Sequence, residues 1–297
     1  MDTPTFPGAE PPARTASFTG AGGIRLAALE WGDPAAPPVV LCHGMWDHAR
    51  GFALLAPLLA HRFRVVALDA RGHGDSEWAH AYSWVTDILD LICVLRIFDR
   101  PVHLIGHSKG GGQAVDTARL VPDLVRAVVN IDGFGPPPLP PDAPSPPRQL
   151  ATFLDVRRSL AARPSWRPWP ALEDLMKRRA QQNPRLAPAW LRYFVFHGAR
   201  QDEDGGWRWK ADPHMAHGAG PWGPEWIAPS YAKLAVPLLA VVGSETDTWG
   251  PLPEPLLVER LAQARRCTRV TIRGAGHFVH MERPAETAAA ILDLLEP

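Results

Sequence analysis

Val102-His103-Leu104-Ile105-Gly106-His107-Ser108-Lys109-Gly110-Gly111-Gly112 is the stretch whose reading decides the fold. Four residues of strand character run into a glycine-flanked serine. QAVDTARLV, a plausible helix, follows. The pattern is strand, tight turn, helix. A serine hydroxyl is a poor nucleophile unless a base takes its proton and something stabilises the oxyanion that forms. A sharp strand-to-helix turn lifts the side chain off the sheet and aims the free N–H groups of the helix at the reacting oxygen. Glycine two before and two after the serine leaves room for the backbone to pass itself. A second reading fits the same eleven residues: a glycine-rich turn closing a βα unit, with Ser108 as its helix cap.

Working outward, strands and helices alternate on both sides of this turn. VVLCHG after Pro37-Pro38 and RVVALD (64–69) are short continuous apolar runs, as expected of strands covered on both faces. Residues 51–61 look helical. Residues 83–98 read as a strong helix, with Ser83 as its cap and apolar residues at Val85, Ile88, Leu89, Ile92 and Leu95. RAVVNID (126–132), PLLAVVG (237–243) and TRVTIRG (268–274) are further strands, with helices expected over 254–264 and 284–295. Two short strands around Gly20–Gly23 read as a hairpin. Parallel strands need crossovers, and helices supply them. The expected fold class is therefore α/β, a mostly parallel, doubly wound sheet of the eight-stranded type. Ligands belong at its carboxyl ends.

At Gly133 the alternation stops. GFGPPPLPPDAPSPP is neither regular helix nor central strand. Helical pieces follow at about 148–162, 171–182 and 188–199, then an irregular aromatic stretch from Gly205 to Pro229. Seven of the twelve tryptophans fall here: Trp166, Trp169, Trp190, Trp207, Trp209, Trp222 and Trp226. The expected organisation is a flexible N-terminus (1–16), a core domain (17–133 and 231–297) and a helical, Trp-rich cap (134–230). Most of these tryptophans fit the cap's own core; a few fit the lining of an apolar pocket facing Ser108.

Composition narrows the partners. Lys+Arg and Asp+Glu are both 31, so the formal net charge is zero and no basic excess points to nucleic acid. No apolar run reaches the ~18 residues of a membrane span. The N-terminus lacks the apolar stretch of a signal peptide, and Cys42, Cys93 and Cys267 form no CxxC pattern, so a cytoplasmic location is expected. No metal or redox motif, Rossmann glycine fingerprint or phosphate loop is present, so neither metal nor cofactor is expected.

Four motifs in order carry a resemblance: His43-Gly44, Asp69-x-Arg71-Gly72-His73-Gly74-x-Ser76, Gly106-His107-Ser108-Lys109-Gly110 and Gly274-x-Gly276-His277-Phe278. Over about 24–132 and 236–296 the chain resembles the α/β-hydrolase fold superfamily, serine hydrolases with an inserted helical cap, esterase- or lipase-like. The resemblance implies a Ser–acid–His order, with Ser108 as nucleophile and His277 as base. His280 is the nearest competing histidine, and His107 is read as packing. The implied acid is Asp247 in Gly243-Ser244-Glu245-Thr246-Asp247, a segment one residue longer than usual; Asp132 and then Glu245 are the alternatives. The implied oxyanion donors are the backbone amides of Met45 and Lys109. The Lys109 ammonium is expected to form a salt bridge on the far side of the turn rather than to attract a substrate anion. Arg71 and Asp75 are read as structural.

Serine with a histidine base makes an acyl-enzyme, so the expected reaction is cleavage of a carboxylic ester-type bond in a small apolar substrate. Hydrolysis of a lactone, thioester, amide or carbon–carbon bond, a cofactor-free perhydrolase, and a non-catalytic ligand-binding protein on the same fold are the alternatives. Oligomeric state is not legible.

Overall fold

The computed structural model describes residues 3–137, 142, 145–161, 165–217 and 227–295. The N-terminal half runs β1 (Arg14–Thr19), β2 (Arg25–Trp31), β3 (Pro38–Cys42), α1 (Ala56–Leu59), β4 (Arg64–Leu68), α2 (Trp84–Leu95), β5 (Val102–His107), α3 (Lys109–Leu120) and β6 (Val125–Ile131). Then come α4 (Pro146–Ala161), α5 (Leu172–Gln182), α6 (Pro188–Gly198), β7 (Ala199–Gln201), β8 (Trp207–Trp209) and α7 (Ile227–Ala232). The chain ends with β9 (Leu238–Gly243), α8 (Glu254–Leu261), β10 (Cys267–Ile272), α9 (Val279–Glu282) and α10 (Pro284–Leu295).

Eight strands form one sheet in the order β1-β2-β4-β3-β5-β6-β9-β10. β2 pairs antiparallel with both of its neighbours, and the remaining pairs are parallel. The continuous apolar runs serve two faces at once. Val39, Leu41, Val65 and Ala67 pack on one side with Phe52, Leu59 and Ile291. Val40, Val66 and Leu68 pack on the other with Leu91, Leu95 and Ala114. Successive strand side chains point to opposite faces, so a sheet covered on both faces needs no polar alternation.

Ser83 caps α2 as expected, accepting from the Thr86 amide in a reciprocal box. Three expectations are corrected. Residues 51–61 are not one helix: a 3₁₀ turn over Ala49–Phe52 precedes the single turn of α1. Pro57 sits at the start of α1; its ring is compatible with a first turn but not with a helix running through it. The N-terminal segment is packed rather than loose. Phe6 meets Trp190 edge-on at 5.3 Å, and the Trp31 indole donates to the Glu10 carbonyl at 3.2 Å. The aromatic stretch after Gly205 is not wholly irregular, because Trp207-Arg208-Trp209 pairs antiparallel with β7.

Four of the described tryptophans of the insertion join the apolar core. Trp190 and Trp207 belong to the same apolar cluster as one face of the sheet, and Trp169 and Trp209 pack against it. Trp222 and Trp226 lie outside the described residues. Among the described residues, no helix is long and apolar enough to cross a membrane.

Candidate active site

β3 and β5 are adjacent, and the chain leaves β3 for β4 on one side and reaches β5 on the other. Such a reversal opens a crevice at the carboxyl ends of the strands. Ser108 follows β5 there with φ 52° and ψ −121°, outside the regions an L-residue prefers. Its two glycines are required by distance. A Cβ on Gly106 would stand 2.1 Å from the Gly110 carbonyl oxygen, and one on Gly110 would stand 2.3 Å from that of Cys42. Among the described residues other than glycine, positive φ occurs at Trp46, Ser108 and Asp132. All three sit in turns at the ends of neighbouring strands. Unfavourable backbone conformations persist only where surroundings over-determine them, and they gather at functional sites.

His277 lies after β10, in the loop leading to α9. Its Nδ1 is 2.6 Å from Asp132 Oδ2, and both side chains are buried. The structure therefore brings Asp132, not Asp247, to the imidazole. Asp247 is engaged by backbone. Its Oδ2 accepts from the His277 amide at 2.7 Å, and its Oδ1 accepts from the amides of Trp249 at 2.8 Å and Gly250 at 3.1 Å. A carboxylate that ties three amides of two loops fixes where His277 sits without meeting its ring. Glu245 accepts from its neighbour, the Ser244 hydroxyl, at 2.9 Å. Asp132 follows β6, which pairs with β5, and this adjacency is what puts its carboxylate near the elbow.

Met45, Ser108, Lys109, Asp132, Asp247 and His277 line one cavity of about 690 Å³. Apolar walls come from Val115, Phe134, Ile227, Tyr231 and Leu252. Its tryptophans are Trp84 and Trp249, which are not among those expected from the insertion. Ile227 and Tyr231 of α7, the helix that spans the end of the insertion and the return to the core, do reach the cavity. Lys109 is the first residue of α3, so its amide has no intrahelical acceptor. The Met45 loop passes close to the elbow: a Cβ on Gly44 would stand 3.2 Å from that of Ser108. The Lys109 ammonium is neutralised by Asp87 of α2 at 2.6 Å, and Gln113 donates to the same carboxylate oxygen at 2.8 Å. Arg71 is locked to Asp90 through two contacts of 2.6 Å.

The competing histidines are structural in their contacts. His107 Nε2 lies 3.0 Å from the His277 carbonyl oxygen, and the His280 ring packs against His107 at 4.5 Å. Burial holds both below the ordinary histidine pKa, keeping them neutral in the interior. One feature escaped the sequence reading. Asp47, in the loop after β3, pairs with Arg179 of α5. Burial, the largest single influence, disfavours its charge, but the Arg179 guanidinium together with the neighbouring His107 and His43 holds the carboxyl well below the usual range. An acid three residues after His43-Gly44 was its only sequence signal. Among the described residues, no group of three or more His, Cys, Asp or Glu side chains is arranged to hold a metal ion.

Comparison with known proteins gives the family. Residues 39–290 match the model of the alpha/beta hydrolase family. The chain is 28% identical over 286 residues to a 3-hydroxybutyrate-oligomer hydrolase of Cupriavidus necator, covering 91% of this chain and 92% of that protein. It is 29% identical over 202 residues to an esterase of Mycobacterium tuberculosis, covering 66% of this chain and 64% of that one. In structure it is similar to a thioesterase domain from the curacin biosynthetic pathway, with a TM-score of 0.79 and 26% identity over 94% of this chain and 99% of that domain. A strained serine between a parallel strand and a helix, a histidine after the last strand and a family match spanning most of the chain lead to one conclusion: this protein belongs to the alpha/beta hydrolase family and is a serine-esterase-like hydrolase.

Proposed function

We propose that the protein cleaves carboxylic ester bonds of small apolar substrates through an acyl-enzyme on Ser108. The observation that carries this reading is the buried 2.6 Å contact between His277 Nδ1 and Asp132, in the cavity that Ser108 also lines. With Nδ1–H donating to the carboxylate, Nε2 presents its lone pair and serves as the base. His277 takes the Ser108 proton as Oγ attacks the ester carbon. The tetrahedral oxyanion accepts hydrogen bonds from the amides of Met45 and Lys109. His277 then protonates the leaving alkoxide, and a water repeats the sequence to release the acid. Asp132 orients the ring and stabilises the imidazolium; Asp247 sets the loop. Segment 134–230 acts as the cap, with Ile227 closing one side of the acyl pocket beside Tyr231 of the core domain.

Support for an ester substrate comes from the names of the relatives, a hydrolase of hydroxybutyrate oligomers and an esterase. The largely apolar cavity wall supports a small uncharged acyl group. The likeness to a thioesterase domain keeps thioesters as a second reading, since the same acyl-enzyme forms from either. A fluorophosphonate probe tests the nucleophile: it should label Ser108 in the folded protein and fail on Ser108→Ala. Failure to label the wild type sinks the acyl-enzyme. Turnover of p-nitrophenyl esters of rising chain length, hydroxybutyrate dimers and the matching acyl thioesters then identifies the bond.

A further inference from the structure

The loop after β3 must hold one oxyanion amide still, yet it contains Trp46 at φ 63°. A bulky residue in the left-handed region relaxes unless neighbours prevent it. Two neighbours from the insertion do so. Arg179 Nη1 donates to the Trp46 carbonyl at 3.0 Å, and the Trp46 ring meets Trp166 edge-on at 6.0 Å. The same guanidinium pairs through Nη2 with Asp47, the next residue. It lies 4.9 Å from the Phe194 ring centre and 5.9 Å from that of Phe278, the residue after His277. The planar fork thus binds a carbonyl and a carboxylate while its faces meet aromatic rings, a combination that lysine does not reproduce.

The connection continues toward the base. The other oxygen of Asp47 lies 3.5 Å from His107 Nδ1, and His107 Nε2 contacts the His277 carbonyl at 3.0 Å. A carbonyl accepts only, so neutral His107 carries its proton on Nε2 and turns a bare Nδ1 toward Asp47. Arg179 is therefore the cation that compensates Asp47. Side chain and backbone contacts run from α5 through Asp47 and His107 to the loop of His277.

We propose that Arg179 is a positioning residue for oxyanion stabilisation: reaching from the insertion, it holds Trp46 and Asp47 and so fixes the Met45 amide beside Ser108. The inference rests on the acyl-enzyme reading above. It makes cap placement a condition of turnover, because displacing α5 withdraws the guanidinium from the loop.

The test compares Arg179→Lys and the double variant Arg179→Met/Asp47→Leu with wild type. The double variant removes both charges, so it leaves no uncompensated buried carboxylate and should melt near wild type. Turnover of a p-nitrophenyl ester should fall about 10- to 100-fold in both with KM nearly unchanged, the loss expected from misplacing a transition-state contact. Affinity for an aryl trifluoromethyl ketone, which forms an oxyanion on the serine, should weaken by the same factor. Deuterium exchange of the amides of residues 44–47 should accelerate, a readout independent of turnover. The proposal is overturned if Arg179→Lys keeps wild-type kcat, if kcat falls without loss of ketone affinity, or if exchange at 44–47 does not change. Persistent turnover in Ser108→Ala would instead remove the acyl-enzyme reading.

Discussion

Replacing Asp132 by asparagine removes one charge and leaves the shape. In wild type the carboxylate sits 2.6 Å from His277 Nδ1, with both side chains buried. Once His277 takes the Ser108 proton, an imidazolium faces a carboxylate at charge centres about 4 Å apart, worth about 4 kcal/mol at an effective dielectric of about 20. The barrier rises by that amount in Asp132→Asn. Each 1.36 kcal/mol is tenfold, so kcat should drop by about a thousandfold. An asparagine amide turned toward Nδ1 also favours the wrong tautomer, which adds to the loss. Asp247→Asn changes different contacts. It weakens acceptance from three backbone amides, each bond worth about 1 kcal/mol, and leaves the ring's partner in place. Its kcat should fall by about tenfold, with a lower melting temperature. The assay is steady-state hydrolysis of p-nitrophenyl butyrate by both variants, with thermal melting alongside. Loss of turnover in Asp247→Asn together with retention in Asp132→Asn refutes the assignment of the acid.

Three further outcomes follow from contacts already described. Gly106→Ala puts a Cβ 2.1 Å from a backbone oxygen, so the variant should lose several kcal/mol and fail to accumulate as folded protein; a normal melt refutes this account of the elbow. Gly112 lines the cavity, and its added Cβ would meet the Trp84 ring at 2.9 Å. Gly112→Ala should therefore shift preference from octanoyl toward acetyl esters, read as the ratio of kcat/KM, and an unchanged ratio would place the acyl chain elsewhere. Burial holds His43 and His103 down to about 4 from the ordinary 6.5. The unfolded chain takes up protons there that the native state refuses, so stability is full above about pH 6.5 and is lost as pH falls, by about 3 kcal/mol per histidine near pH 4. The urea midpoint should drop between pH 7 and 5; a flat midpoint contradicts it.

The fold was legible because its signals are local. VVLC, RVVAL and VHLIG are apolar without alternation, and only a sheet covered on both faces wants that pattern. Ser108 and its glycines were legible for the same reason: the close approach of Gly106 to Gly110 lies within five residues. The acid was not. Which of three carboxylates meets an imidazole depends on how β6, β9 and β10 lie side by side and on the path of the loop after β9. That loop delivers Asp247 to the backbone of His277 instead of its ring. Asp132 had a faint signal, an Asp-Gly pair closing a buried strand, where a short polar side chain tolerates left-handed backbone. The pairing of Arg179 with Asp47 spans 132 residues and joins the insertion to the sheet, so no periodicity or motif announces it. The packed N-terminus was missed because proline-rich composition masks a single anchoring phenylalanine.

Trp46, Ser108 and Asp132, the residues other than glycine that hold positive φ among the described residues, place frustration around the candidate site. Each position would be relieved by glycine, which at 108 would remove the hydroxyl and at 132 the carboxylate that meets His277. Ser108→Gly should therefore melt higher than wild type while being inert, the mark of a chain selected to keep its local backbone preferences in conflict with its global fold at three neighbouring turns.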